Sequence, residues 1–99
     1  MKIIYTNQTN QEVADINNAS VDEMIKAVKQ SYFLIAYIKN PNKEIQLAAV
    51  RNNGSAIRFI KNPDPEVQLE AVKRTGNAIL YIKNPHKSVL LYLKIKNTL

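Results

Sequence analysis

One interval, 22 residues, organises this chain. The segments AYIKNP, RFIKNP and LYIKNP place prolines at 41, 63 and 85. The same offset aligns Ile25 with Leu47, Leu69 and Leu91, Ala27 with Ala49, Ala71 and Leu93, and Val28 with Val50, Val72 and Lys94. Further columns hold Ile35/Ile57/Ile79, Tyr37/Phe59/Tyr81 and Ile38/Ile60/Ile82. A unit this short cannot enclose a core by itself, so neighbouring units must stack and cover one another.

Each unit reads as two helices. The column Ser20, Asn42, Asp64, His86 precedes a helical pattern, and Ser, Asn and Asp are preferred N-caps because their side-chain oxygens accept from orphan backbone N–H groups. Ser20 with Glu23 forms a capping box, and Pro65 occupies a first helical position, where its missing N–H costs nothing. Asp22, Glu44 and Glu66 fall in first turns, where the helix dipole favours negative charge. The Leu47 and Val50 columns supply an i, i+3 apolar face and are expected to be interior. The helix is expected to end near Gly54 or Gly76 as a left-handed cap. A second, shorter helix then turns Ile57, Ile60 and their equivalents inward and stops at Asn40, Asn62 and Asn84, since a residue before proline is displaced from helical geometry.

The expected fold is therefore all-α: a right-handed α-solenoid of stacked short helical hairpins, about three and a half repeats, with a short N-terminal capping helix. The layout is one domain over residues 1–99: a cap at 1–19, repeats at 20–41, 42–63 and 64–85, and a half repeat at 86–99. Val13 and Ile16 fall in the Ile35 and Ile38 columns, which predicts a capping helix over 9–17 with Thr9 and Glu12 as its capping box. A leucine-rich repeat has a similar period, but it needs alternating strand residues in an L-x-x-L-x-L-x-x-N core. Here asparagine is followed by proline, and alanines stand at inward positions.

The pieces EVQLEAV (66–72), Gly76 and YIKNP (81–85) resemble a family of short, distantly HEAT-like helical repeats found in bacterial and phage proteins. The resemblance spans roughly residues 20–99. The first repeat departs from it, with Tyr32 in the glycine column and Glu23 where Ile45 and Val67 stand, and the last unit lacks its second half. The resemblance implies a helical solenoid. It implies no reaction and brings no catalytic residue with it.

Composition narrows the function classes. Cysteine is absent, which removes disulfides, thiolate zinc sites and cysteine nucleophiles together. The opening MKIIYTNQTNQ is too short in apolar residues for a secretory signal, and no run approaches membrane-spanning length. A cytoplasmic protein, of a bacterium or of a phage-infected host, is expected. His86 sits in a cap column after Pro85, where a turn role suffices. Ser20, Ser31, Ser55 and Ser88 have no His–Asp arrangement nearby, and two glycines cannot build a phosphate loop. No catalytic residue, metal ligand or cofactor site is expected, and the chain reads as a non-enzyme.

Charge points to partners instead. Net charge is +6 overall, but residues 1–23 carry −3, residues 24–70 carry +3 and residues 71–99 carry +6. Two basic ladders follow the repeat: Lys29/Arg51/Lys73 and Lys39/Lys61/Lys83. Stacking would set their members roughly 10 Å apart. Both fall at helix C-termini, where the dipole alone favours cations, and the neighbouring Tyr37/Phe59/Tyr81 column also suits half-buried packing. The leading expectation is a protein–protein interaction module with Arg58, Lys61, Tyr81 and Lys83 as its contact patch, a phage or mobile-element accessory or inhibitor protein. The alternative is nucleic-acid binding by the basic C-terminal half, with Arg51 and Lys73 added to the contact set.

A homodimer is the remaining expectation. The last helix replaces small residues with Tyr92 and Leu93 and adds Val89, Leu90 and Ile95, an apolar surface suited to self-association. Against it, Leu93 and Ile95 could fold back onto the third repeat, and Lys87, Lys94 and Lys96 would repel across a two-fold axis.

Overall fold

The computed structural model describes residues 5–6, 12–13 and 15–98. Among the described residues four α-helices stand out: α1 (Val21–Gln30), α2 (Lys43–Asn52), α3 (Pro65–Arg74) and α4 (Lys87–Thr98). Between them lie 3₁₀ helices, η2 (Tyr32–Tyr37), η3 (Gly54–Phe59) and η4 (Gly76–Tyr81), preceded by a single turn, η1 (Ile16–Asn18). Each α-helix packs on the next, and the 3₁₀ helices η2, η3 and η4 pack in the same succession. The result is an all-helical body of two rows, apart from one two-residue strand pair, measuring 49 × 21 × 19 Å along its principal axes.

The caps form as their residue types dictate. The Ser20 hydroxyl accepts from the Glu23 amide at 3.2 Å, while the Glu23 carboxylate accepts from the Ser20 amide at 3.1 Å. Asn42 accepts from the Ile45 amide at 2.9 Å, and His86 Nδ1 accepts from the Ser88 amide at 3.1 Å. Asp64 makes no side-chain capping bond; Pro65 at the first helical position serves there instead.

The second helix of each repeat is 3₁₀ throughout. Its closing bonds run from i+3 to i, with the amides of Ile38, Ile60 and Ile82 donating to the carbonyls of Ile35, Ile57 and Ile79 at 3.1–3.2 Å. In this geometry residues three apart eclipse. Ile57 lies within the helix and Ile60 just after it; the closing bond ties them together, and both are buried. These helices end at Tyr37, Phe59 and Tyr81, three residues earlier than expected. The isoleucine that follows is already extended, and Asn40 and Asn62 then take left-handed φ values of 48° and 53°. Asparagine tolerates that region better than most residues, so the chain reverses on asparagine rather than glycine.

Gly54 and Gly76 are not left-handed caps, since neither has a positive φ. Each opens a 3₁₀ helix, and Gly54 is buried. A Cβ there would overlap the Ala71 carbonyl oxygen and come within 2.7 Å of Thr75 Cβ. At Gly76 a Cβ would meet nothing within 4 Å. Glycine is thus needed for close approach at the junction between the second and third repeats, where the Gly54 amide donates to Thr75 Oγ1 at 3.0 Å.

The core columns are Ala27/Ala49/Ala71 and Val28/Val50/Val72, all at most 2 % exposed, together with Ile45, Val67 and Val89. Leu47 and Leu69, expected inside, are only partly buried against this core. The reason is that a middle helix is flanked by a helix on either side and by the 3₁₀ row, which shifts its most buried line onto Ile45, Ala49 and Val50.

The N-terminal capping helix predicted over 9–17 is absent at residues 12–13 and 15, and residues 9–11 and 14 lie outside the described residues. Tyr5–Thr6 pairs antiparallel with Glu12–Val13, Tyr5 opposite Val13 and Thr6 opposite Glu12. Thr9 lies outside the described residues. Asp15 is extended (φ −149°, ψ 122°) and accepts from the Asn17 amide, so it caps η1, which starts at Ile16. Ile16 is fully buried, in line with Ile38, Ile60 and Ile82.

A cationic aromatic groove as candidate functional site

Four of the six expected contact residues come together. Arg58 and Tyr81 lie on η3 and η4, while Lys61 and Lys83 stand in the bends that follow those helices. With Asn62, Asn84 and Pro63 they line an open groove of about 660 Å³, whose floor includes the buried Ile60 and Ile82. No Asp or Glu lines it.

The Arg58 guanidinium lies over both the Phe59 ring and the Tyr81 ring, 5.2 Å from each centroid. The two rings are in the same column of successive repeats, so a cation between them fastens the repeats through cation–π attraction. Tyr37, Phe59 and Tyr81 are 38–44 % exposed, which leaves their outer parts at the surface. Among the described residues Arg58, Lys61 and Lys83 have no ion-pair partner.

Gln68 supports this floor from below. It is 8 % exposed, donates to the Pro63 carbonyl at 3.0 Å and accepts from the His86 amide at 2.8 Å. A buried amide satisfied on both sides holds its neighbours in one geometry. The sequence signal for it was a polar residue in an otherwise apolar helix column, shared by Gln46 and Gln68. Phe59 was visible in the aromatic column, but its role in seating Arg58 was not.

Arg51 and Lys73 lie apart from the groove. Arg51 pairs with Glu70 at 3.5 Å, which Arg74 also approaches at 3.8 Å. Lys73 is 5.6 Å from the Tyr92 ring centroid. Lys29 and Arg51 line a different cleft, between α1 and α2, of about 500 Å³ with Glu44 in its wall. On the same side of the cation balance, Lys43 pairs with Glu66. That hydrogen-bonded contact raises the Lys43 pKa and lowers that of Glu66, though a pair this exposed adds little stability. Of the two basic ladders, therefore, one is occupied by internal partners at Arg51 and Lys73, while Lys61 and Lys83 face the groove.

The residues expected to mediate self-association divide. Val89 is fully buried, so it cannot meet a second copy: it occupies the Ile45/Val67 column and fills the core beside α3. Tyr92 and Leu93 are half-buried against the same core. Leu90, Leu91 and Ile95 are each more than half exposed.

His86 Nδ1 lies 2.9 Å from Ser88 Oγ, within its capping contact. Among the described residues no three His, Asp or Glu side chains are placed to hold a metal ion, and no helix is long and apolar enough to cross a membrane. No curated protein and no solved structure matches the chain. Residues 42–87, which contain the whole groove, match the family model described as Domain of unknown function (DUF4116).

Proposed function

We propose that this chain is a non-enzymatic protein–protein interaction module, a right-handed, HEAT-like α-solenoid acting in the cytoplasm of a bacterium or phage-infected host. The groove of Arg58, Lys61, Tyr81 and Lys83 is its contact surface. The observation that carries this reading is the convergence of cations without ion-pair partners on a groove whose floor is apolar and whose rings are held in place. Stacked helical repeats commonly present such ridged surfaces to partners. Capture from a native-host lysate should enrich a partner with the wild-type chain and lose it with Lys61→Glu/Lys83→Glu. Enrichment of the same set by that variant would remove the groove from the interaction.

A second reading, direct nucleic-acid binding, is favoured by the exposed Tyr37/Phe59/Tyr81 column beside the Lys39/Lys61/Lys83 ladder. It requires affinity that falls steeply with salt as phosphates are neutralised and counterions released. Anisotropy titrations with single- and double-stranded DNA and RNA decide it, and no binding at low salt ends it.

Self-association is proposed through the exposed Leu90, Leu91 and Ile95. Light scattering over a range of concentrations should show a dimer that Leu90→Glu/Leu91→Glu converts to a folded monomer. A monomer mass throughout for the wild type would remove the proposal.

A further inference from the structure

We infer that the groove takes an acidic protein segment, bound through its side-chain carboxylates, with Arg58 as the specificity-determining residue. The inference rests on the groove being the module's contact surface and adds the chemistry of its partner. Arg58 is held against two rings. The guanidinium carbon lies over the Phe59 and Tyr81 rings, and rings accept no conventional hydrogen bond from its five N–H donors. Among the described residues, none of those donors has an ion-pair partner. A guanidinium confined by two rings can form two parallel bonds to one carboxylate, with less freedom to lose when the ligand arrives.

The rest of the groove fits the same ligand. Lys61 and Lys83 add two cations, and the wall contains no acid to repel a carboxylate. Asn62 and Asn84 offer amides to the backbone of an extended segment, over a floor containing Ile60 and Ile82. A nucleic-acid strand would use the groove differently. Single strands stack their bases on aromatic faces, and here Arg58 already occupies one face of each ring.

The test uses the full chain and three fluorescent probes of about a dozen residues each: a Glu/Ala peptide, its Gln/Ala counterpart and oligothymidylate. Anisotropy should show the Glu peptide binding about tenfold or more tighter than the Gln peptide. Arg58→Lys, which retains the charge but loses the planar fork, should weaken that binding about tenfold. Arg51→Lys, outside the groove, should leave it unchanged, and circular dichroism shows whether each variant is folded. Equal effects of the two variants would reduce binding to undirected charge attraction and overturn the inference. Preference for oligothymidylate would overturn it in favour of a strand platform. If the Glu peptide does not bind while lysate capture is still lost in Lys61→Glu/Lys83→Glu, the acidic segment is wrong and the interaction module stands.

Discussion

Gly54→Ala should destabilise the fold by about 3 kcal/mol, combining overpacking with a lost hydrogen bond. The added methyl would overlap the Ala71 carbonyl oxygen, and backbone cannot rotate out of the way as a flexible side chain can. Thr75, whose Cβ and Oγ1 lie on the same side, would have to move as well, breaking its bond to the Gly54 amide. For a chain of this size such a loss lowers the melting temperature by roughly 12–24 °C. Gly76→Ala is the matched control. It has ordinary backbone angles and open space, so it should stabilise by about 0.4–1 kcal/mol through reduced freedom of the unfolded chain. Thermal melts of the pair check the argument: two equal losses would mean that glycine serves backbone conformation at both sites and not contact at one.

The second large effect concerns the 3₁₀ row. Ile57→Ala should cost roughly 2–5 kcal/mol, since the side chain is 1 % exposed and its removal leaves a void between rows that cannot easily close. Leu47→Ala should cost less, about 1–2 kcal/mol, because part of that side chain already faces water. Lys43→Ala should fall within about 0.5 kcal/mol. Urea melts give the ranking directly. Leu47 matching Ile57 would show that the α-helical row, and not its contact with the 3₁₀ row, holds the most tightly packed surface.

The contrast between Ile57 and Leu47 shows what could be read without coordinates. A 22-residue offset establishes which residues are equivalent, and the caps at Ser20 and Asn42 follow from local chemistry. Equivalence does not give orientation. Leu47 repeats as faithfully as Val50, yet the helix turns Val50 inward because it has neighbours on three sides. The glycine column was visible, but its cause is a carbonyl one repeat further on. At the N-terminus the column of Ile16 held while the helix around it did not, since Asp15 caps a single turn. The groove follows the same division. Its lysines and rings are periodic and legible, whereas Arg58, whose column also holds Ala36 and Leu80, reaches Tyr81 only in the folded stack.

The repeats are fastened by side chains that reach across a junction. Asn17 accepts from the Lys39 amide and donates to the Tyr37 carbonyl, both at 2.8 Å. Asn52 donates to two carbonyls in the last turn of α1, at Val28 and Lys29. Thr75 receives the Gly54 amide, and Gln68 receives that of His86. These fasteners do not share a column, and the residues equivalent to Asn52 are Gln30 and Arg74. The units are therefore alike in what they bury and individual in what they grip. Exchanging the second and third would keep every core column filled and leave carbonyls and amides facing the wrong side chains. The order of the stack is written at its seams.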